Sequence, residues 1–214
     1  MKAMILAAGE GRRMRPLTLE TPKPLLQVHG VSLIEHHIHR LVNAGIRELI
    51  VNVAYLGEKI QRALGDGASF GVSIQYSVEP EPLETAGALY NALDLLGEEP
   101  FLLVNGDVWT DFRFDRLAEK QLAGDGHLVL VPNPPHKTGG DFALAADGAV
   151  AMLRDGEGFT FSGISLLSPR LIRDYPHSRR QFPLREVFNW AIQRSALTGE
   201  IFTGTWCDVG TPER

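Results

Sequence analysis

Short apolar runs alternate with segments of helical period along the first half of the chain, and that alternation leaves few architectures open. Ala3-Met4-Ile5-Leu6 is an apolar run stopped by Ala-Ala-Gly, as in a strand buried on both faces. Residues 32–44 place Leu33, Ile34, Ile38, Leu41 and Val42 on one helical side. Ser32 and Glu35 have capping-box spacing at the start of that helix, and Gly45 stands where a C-terminal cap belongs. Residues 46–53 read as a strand, 58–64 as a short helix and 72–77 as an alternating strand. Residues 85–96 read as a helix with Thr85 as N-cap. Residues 101–104 form an apolar strand that runs into Asn105-Gly106-Asp107. Repeated strand–helix units of this kind predict an α/β fold of three layers, Rossmann-like, with a mixed, mostly parallel central sheet.

The pattern changes after about residue 126. A strand over 127–131 is broken by Pro132, Pro134 and Pro135. Residues 142–144 and 149–153 flank Asp147-Gly148, a hairpin signal. A strand over 161–167 is followed by Ser168-Pro169, which opens a helix with a cap and a proline at the first position. Residues 184–196 are amphipathic, with Phe188 and Trp190 expected in the core. The chain shows no low-complexity linker, internal repeat or charge block, so one domain over residues 1–214 is expected.

Charge and cysteine content exclude several function classes. Lys plus Arg is 21 against 26 Asp plus Glu, a net charge of −5, which argues against a nucleic-acid binder that relies on bulk positive charge. Cys207 stands alone, so no intrachain disulfide is expected, and a reducing compartment fits. The apolar run before Gly9 is too short for a signal-peptide core or a membrane span. The expectation is a cytoplasmic protein with neither nucleic acid nor membrane as partner.

The chemistry concentrates just after the first strand, at Gly9-Glu10-Gly11-Arg12-Arg13-Met14-Arg15-Pro16. Glycines there let the backbone approach a ligand and turn N–H groups toward phosphate. Arg12, Arg13 and Arg15 add fixed charge and forked donors, and Pro22 and Pro24 stiffen the presentation of Lys23. A dinucleotide fingerprint would need a glycine where Met14 stands, and a Walker loop would need Gly-Lys-Ser/Thr. What remains is a phosphate cradle with cationic walls. Asp107 follows an apolar strand at the carboxyl edge of the sheet, where ligands of open α/β sheets bind. His36, His37 and His39 lack metal-ligand spacing and are expected to be solvated or at the core edge.

The run from Leu6 to Thr18, Leu-Ala-Ala-Gly-Glu-Gly-Arg-Arg-Met-Arg-Pro-Leu-Thr, followed by Thr21-Pro-Lys-Pro-Leu, resembles the signature of the sugar-1-phosphate nucleotidyltransferases. The resemblance returns at Glu79-Pro-Glu-Pro-Leu-Glu-Thr-Ala-Gly-Ala, at Asn105-Gly-Asp, at Ser162-Gly-Ile and at Trp206-x-Asp-x-Gly. It implies a nucleotide half to about residue 110 and a sugar half from about 111, with no hexapeptide-repeat domain. It implies an in-line displacement in which a sugar phosphate oxygen attacks the α-phosphorus of a nucleoside triphosphate and pyrophosphate leaves. UTP and a sugar 1-phosphate, N-acetylmuramate α-1-phosphate first among them, are the implied partners, in cell-wall sugar salvage.

The same resemblance distributes roles. Arg13 holds the β- and γ-phosphates with the amides of Gly9 and Gly11, Lys23 meets the α-phosphate, and Arg12 adds a phosphate contact. Leu6, Ala8, Glu79, Glu84, Thr85 and Gly87 complete the nucleotide site, with Gly87 leaving room for the base. Asn105, Gly140 and Glu157 serve the sugar phosphate. Asp107 and Asp208 hold Mg2+. Two departures stand out: Glu79 occupies a position where uridine- and thymidine-using members often have Gln, and no lysine occurs after Lys137. Glu79 keeps a guanylyltransferase acting on mannose 1-phosphate open, and a thymidylyl- or uridylyltransferase acting on glucose 1-phosphate is a further alternative. A regulatory subunit that binds nucleotide sugars without turnover is the non-enzyme alternative.

Overall fold

Alternate residues of the first strand, β1 (Lys2–Leu6), feed opposite cores: Ala3 and Ile5 join one apolar cluster and Met4 the other. This period of two is what a strand covered on both faces requires. The computed structural model describes residues 1–153 and 158–212. After β1 come the small hairpin β2 (Gln27–Val28) and β3 (Val31–Ser32), then α1 (Leu33–Asn43), β4 (Glu48–Val53), α2 (Gly57–Leu64) and β5 (Ser73–Val78). Helices α3 (Glu84–Asn91) and α4 (Leu93–Leu96) lead to β6 (Phe101–Asn105). Beyond it lie β7 (Val108–Thr110), α5 (Asp115–Ala118), β8 (Gly126–Val131), β9 (Phe142–Leu144) and β10 (Val150–Met152). The chain continues with β11 (Thr160–Leu167), α6 (Pro169–Arg173), α7 (Leu184–Gln193), β12 (Leu197–Ile201) and β13 (Trp206–Asp208).

Seven strands form the central sheet in the order β12-β8-β11-β6-β1-β4-β5. Within it β11 runs antiparallel to both neighbours, and the other pairings are parallel. Helices α1 and α2 bury Ile34, Ile38, Leu41, Ile60 and Leu64 on one face. Helices α3, α6 and α7 bury Leu89, Ile172, Val187 and Phe188 on the other. The expected three-layer, mostly parallel architecture is therefore present. Among the described residues no helix is long and apolar enough to cross a membrane.

The capping box of α1 is formed: the Ser32 hydroxyl accepts from the Glu35 amide, and Glu35 accepts from the Ser32 amide at 2.9 Å. The β9–β10 hairpin closes through Asp147-Gly148 as expected. Other expectations are corrected. Thr85 is not a cap; it lies inside α3, which starts at Glu84. The Phe182 carbonyl accepts from the amides of Ala86 and Gly87, so the first turn is satisfied by backbone and needs no hydroxyl. Ser168 precedes α6 with Pro169 at the first position, but its side chain makes no cap bond. Trp190 is only half-buried, with the Arg194 guanidinium 3.8 Å from its ring centroid. His37 is fully core, and burial pushes its pKa down to about 4, so it is neutral.

Candidate active site

The site begins where β1 ends. Leu6 lies in register with Asn52 on β4, and the Asn52 side chain accepts a hydrogen bond from the Ala7 amide at 2.7 Å. The chain then turns through Gly11 at φ +60, where a Cβ would come within 2.9 Å of Thr18 and 3.1 Å of Lys23. Gly11 is therefore demanded twice, by conformation and by space. A 3-10 turn over Arg12–Met14 follows instead of a long helix, so the positive charge here comes from side chains rather than from a helix end. Arg12 is paired with Glu10 at 2.5 Å and is exposed. Arg13 has no ion pair among the described residues and lines the same cavity.

A second 3-10 turn, Lys23–Leu25, presents Lys23, which is 7% exposed. Its Nζ donates to Asp107 Oδ2 at 2.7 Å, an ion pair between residues 84 apart in sequence. Asp107 reaches this place because Gly106 lets the chain cross the end of β1; a Cβ there would lie 2.5 Å from the Leu6 carbonyl oxygen. Antiparallel pairing of β7 with β13 then sets Asp208 opposite Val108, and the Val209 amide donates to the Asp107 carbonyl at 2.8 Å. Two carboxylate-bearing segments a hundred residues apart thus share one end of the sheet. His136 Nε2 lies 3.5 Å from Asp208 Oδ2.

The opposite wall is the 79–85 loop. Glu79 is 4% exposed; it accepts from Asn52 Nδ2 at 2.7 Å and from the Leu83 amide at 3.1 Å. A relay therefore runs from Ala7 through Asn52 and Glu79 to Leu83. Burial pushes the Glu79 carboxyl above the ordinary glutamate range, opposed by the two donated hydrogen bonds. Each of its oxygens accepts one hydrogen bond from the chain, and Glu79 also lines the cavity. Glu84 sits at φ +58, an unusual conformation for a residue with a side chain, and lines the cavity with Thr85.

Replacing Glu79 by Gln is expected to cost about 1–3 kcal/mol, because one oxygen cannot serve both donors and an Asn52 flip would strand the Ala7 amide. The folded chain holds the Glu79 proton longer than the unfolded chain does. Its contribution to stability is therefore present below the ordinary glutamate pKa and falls as pH rises toward the raised folded value. Glu79→Gln should remove that slope; denaturant unfolding between pH 4 and pH 8 checks both effects.

A cavity of about 370 Å3 brings together Leu6, Ala8, Gly9, Gly11, Arg12, Arg13, Lys23, Glu79, Glu84, Thr85, Asn105 and Asp107. Asn105 Oδ1 is buried without a hydrogen-bond partner among the described residues, as suits a group kept for a ligand. Its amide packs where Gly163 (φ +81) has no side chain; a Cβ would fall 2.7 Å from Nδ2. Gly163→Ala should therefore displace Asn105, costing about 1–3 kcal/mol of stability. Unfolding and the KM for the expected sugar phosphate would both register it; an unchanged KM would remove Asn105 from the site.

Three expected residues fall elsewhere. Gly87 does not line this cavity: a Cβ there would meet the Arg180 carbonyl at 2.3 Å, so it admits a neighbouring backbone and not a base. Gly140 (φ +67) is packed on the backbone of Gly158 and Phe159. Glu157, like Arg154 and Asp155, lies outside the described residues. Asp208 is not among the residues that line the cavity, although Gly210, two residues on, is. The sequence reading missed Asn52, Pro82 and Leu83; Asn52 carried the same signal as Asn105, an amide ending an apolar strand.

The donor set fits a hard divalent cation. No three His, Cys, Asp or Glu among the described residues cluster to hold a metal by themselves. Two carboxylates, with phosphate oxygens and water completing the sphere, is how magnesium-type ions are held beside nucleotides.

Residues 2–142 match the nucleotidyl transferase family. N-acetylmuramate alpha-1-phosphate uridylyltransferase of Neisseria meningitidis serogroup B is 48% identical, with 99% of this chain and 94% of that protein aligned. The mannose-1-phosphate guanylyltransferase catalytic subunit beta of Danio rerio is 33% identical over 100% of this chain, which spans 62% of that relative's length. A solved Bacillus anthracis protein crystallised with sucrose shares the fold, with a TM-score of 0.89 at 24% identity, covering 100% of this chain and 91% of that one.

Proposed function

The chain belongs to the nucleotidyl transferase family, and from that premise we propose that it joins UTP to N-acetylmuramate α-1-phosphate, giving the UDP-sugar and pyrophosphate. The observation that carries the reading is the 48% identity along nearly the whole of both chains to a uridylyltransferase for that sugar phosphate. Family members generally use a divalent metal; Asp107 and Asp208 would hold it here, as Mg2+.

The chain's own residues supply position and charge. The amides of the 9–11 loop and the Arg13 guanidinium receive the β- and γ-phosphates. Lys23 leaves Asp107 for the α-phosphate, where its point charge stabilises the pentacoordinate phosphorus as the sugar phosphate oxygen attacks in line. No side chain is needed as nucleophile. Asn105 holds the sugar phosphate at the end of β6. When bound, Mg2+ neutralises phosphate charge. Residues to about 110 hold the nucleotide and those beyond hold the sugar.

Pyrophosphate release measured over four nucleoside triphosphates and a panel of sugar 1-phosphates tests the reading. The expected result is preference for UTP with N-acetylmuramate α-1-phosphate. Preference for GTP with mannose 1-phosphate overturns it, and nucleotide-sugar binding without turnover under Mg2+ supports the regulatory alternative.

A further inference from the structure

N-acetylmuramate differs from N-acetylglucosamine by a lactyl ether that ends in a carboxylate, and an anion at that place needs a cation. Among the arginines of the second half, Arg179 is paired with Glu186 at 2.5 Å. Arg180 borders a separate cavity behind Leu83. Around Asp141 stands a different arrangement. Asp141 accepts from Lys137 Nζ, from Arg185 Nη1 at 2.9 Å and from the Phe161 amide at 2.9 Å. Among the described residues one carboxylate faces two cations here, an excess of one positive charge.

Its place in the fold is defined from two directions. Lys137 follows His136, which lies 3.5 Å from Asp208. Phe161 begins the β-bulge of β11 whose Gly163 packs on Asn105. Both ends of the 133–141 loop are tied down, since Asn133 bonds to Gly158 and Thr160, and the Asp141 amide donates to the Phe159 carbonyl at 2.7 Å. Lys137 is therefore a long cation on an anchored loop, with N–H groups beyond the one given to Asp141.

We propose that Lys137, seated on Asp141 and next in sequence to His136, which lies against Asp208, receives the carboxylate of an acidic sugar 1-phosphate. The proposal rests on the uridylyltransferase reading above and names the group that sets its sugar class. Bound substrate completes an alternating row of sugar carboxylate, Lys137, Asp141 and Arg185, which compensates the spare charge.

The test is Lys137→Met, with Lys137→Arg as the conservative variant. Steady-state kinetics with N-acetylmuramate α-1-phosphate and UTP give KM for each substrate and kcat. N-acetylglucosamine 1-phosphate, which lacks the lactyl group, is measured as a competing ligand. Loss of one charge-assisted hydrogen bond should raise the KM for the acidic sugar on the order of tenfold. The KM for UTP and the inhibition constant of the neutral sugar should stay within about twofold, and arginine should restore most of the loss. A sugar KM that does not move, or a parallel loss for both sugars, overturns the proposal while the uridylyltransferase reading stands. A wild-type enzyme that does not turn over the acidic sugar overturns both.

Discussion

Lys23→Met should lower kcat by about 10²–10³-fold, the loss seen when a single preorganised donor to developing negative charge is removed. Lys23 is nearly buried in a turn stiffened by Pro22 and Pro24, and its partner is Asp107. Its role is expressed where the α-phosphorus gains a fifth oxygen. Nucleotide affinity rests largely on the 9–11 loop and Arg13, so UTP binding by calorimetry should weaken far less than turnover. Lys23→Arg should recover little, because a planar fork cannot replace a point charge in that seat. Near-normal turnover in Lys23→Met would reduce the ion pair to a structural tie.

Asp208→Asn should cost on the order of 10²-fold in kcat at saturating Mg2+, with a smaller change in the KM for UTP. The pairing of β7 with β13 brings the Asp208 and Asp107 segments together; if both carboxylates hold one ion, as proposed, the double variant should fall little below either single one. The two singles should nonetheless differ without metal. Asp107→Asn frees Lys23 from its counter-ion, so UTP should bind more tightly in chelator than it does to wild type, an effect absent from Asp208→Asn. Turnover of Asp208→Asn close to wild type would leave the Trp206–Asp208 strand as framework only.

The parallel half of the fold was legible because its strands are apolar runs with helices of clear period between them. Strand β12 was not: Leu197-Thr-Gly-Glu-Ile lies at the sheet edge with only Leu197 buried, so no alternation marks it. Strands β7 and β13 have three residues each and exist by pairing with one another, a long-range fact no local window holds. In the site, the glycine loop, Lys23 and Asp107 announced themselves by residue type. Glu79 was marked by residue type alone, while its bond to Asn52, 27 residues away, is visible only in the fold. Gly87 misled, since a missing side chain does not say which neighbour needs the space.

The relay Ala7–Asn52–Glu79–Leu83 gives the site a gauge. It spans from the floor under the glycine loop to the 79–85 wall, through bonds of 2.7, 2.7 and 3.1 Å. The gap between floor and wall cannot widen without opening a buried bond, nor narrow without compressing one. A nucleoside seated between them, as proposed, would be measured for length and thickness, and the ordering entropy of the clamp is spent during folding, before any ligand arrives.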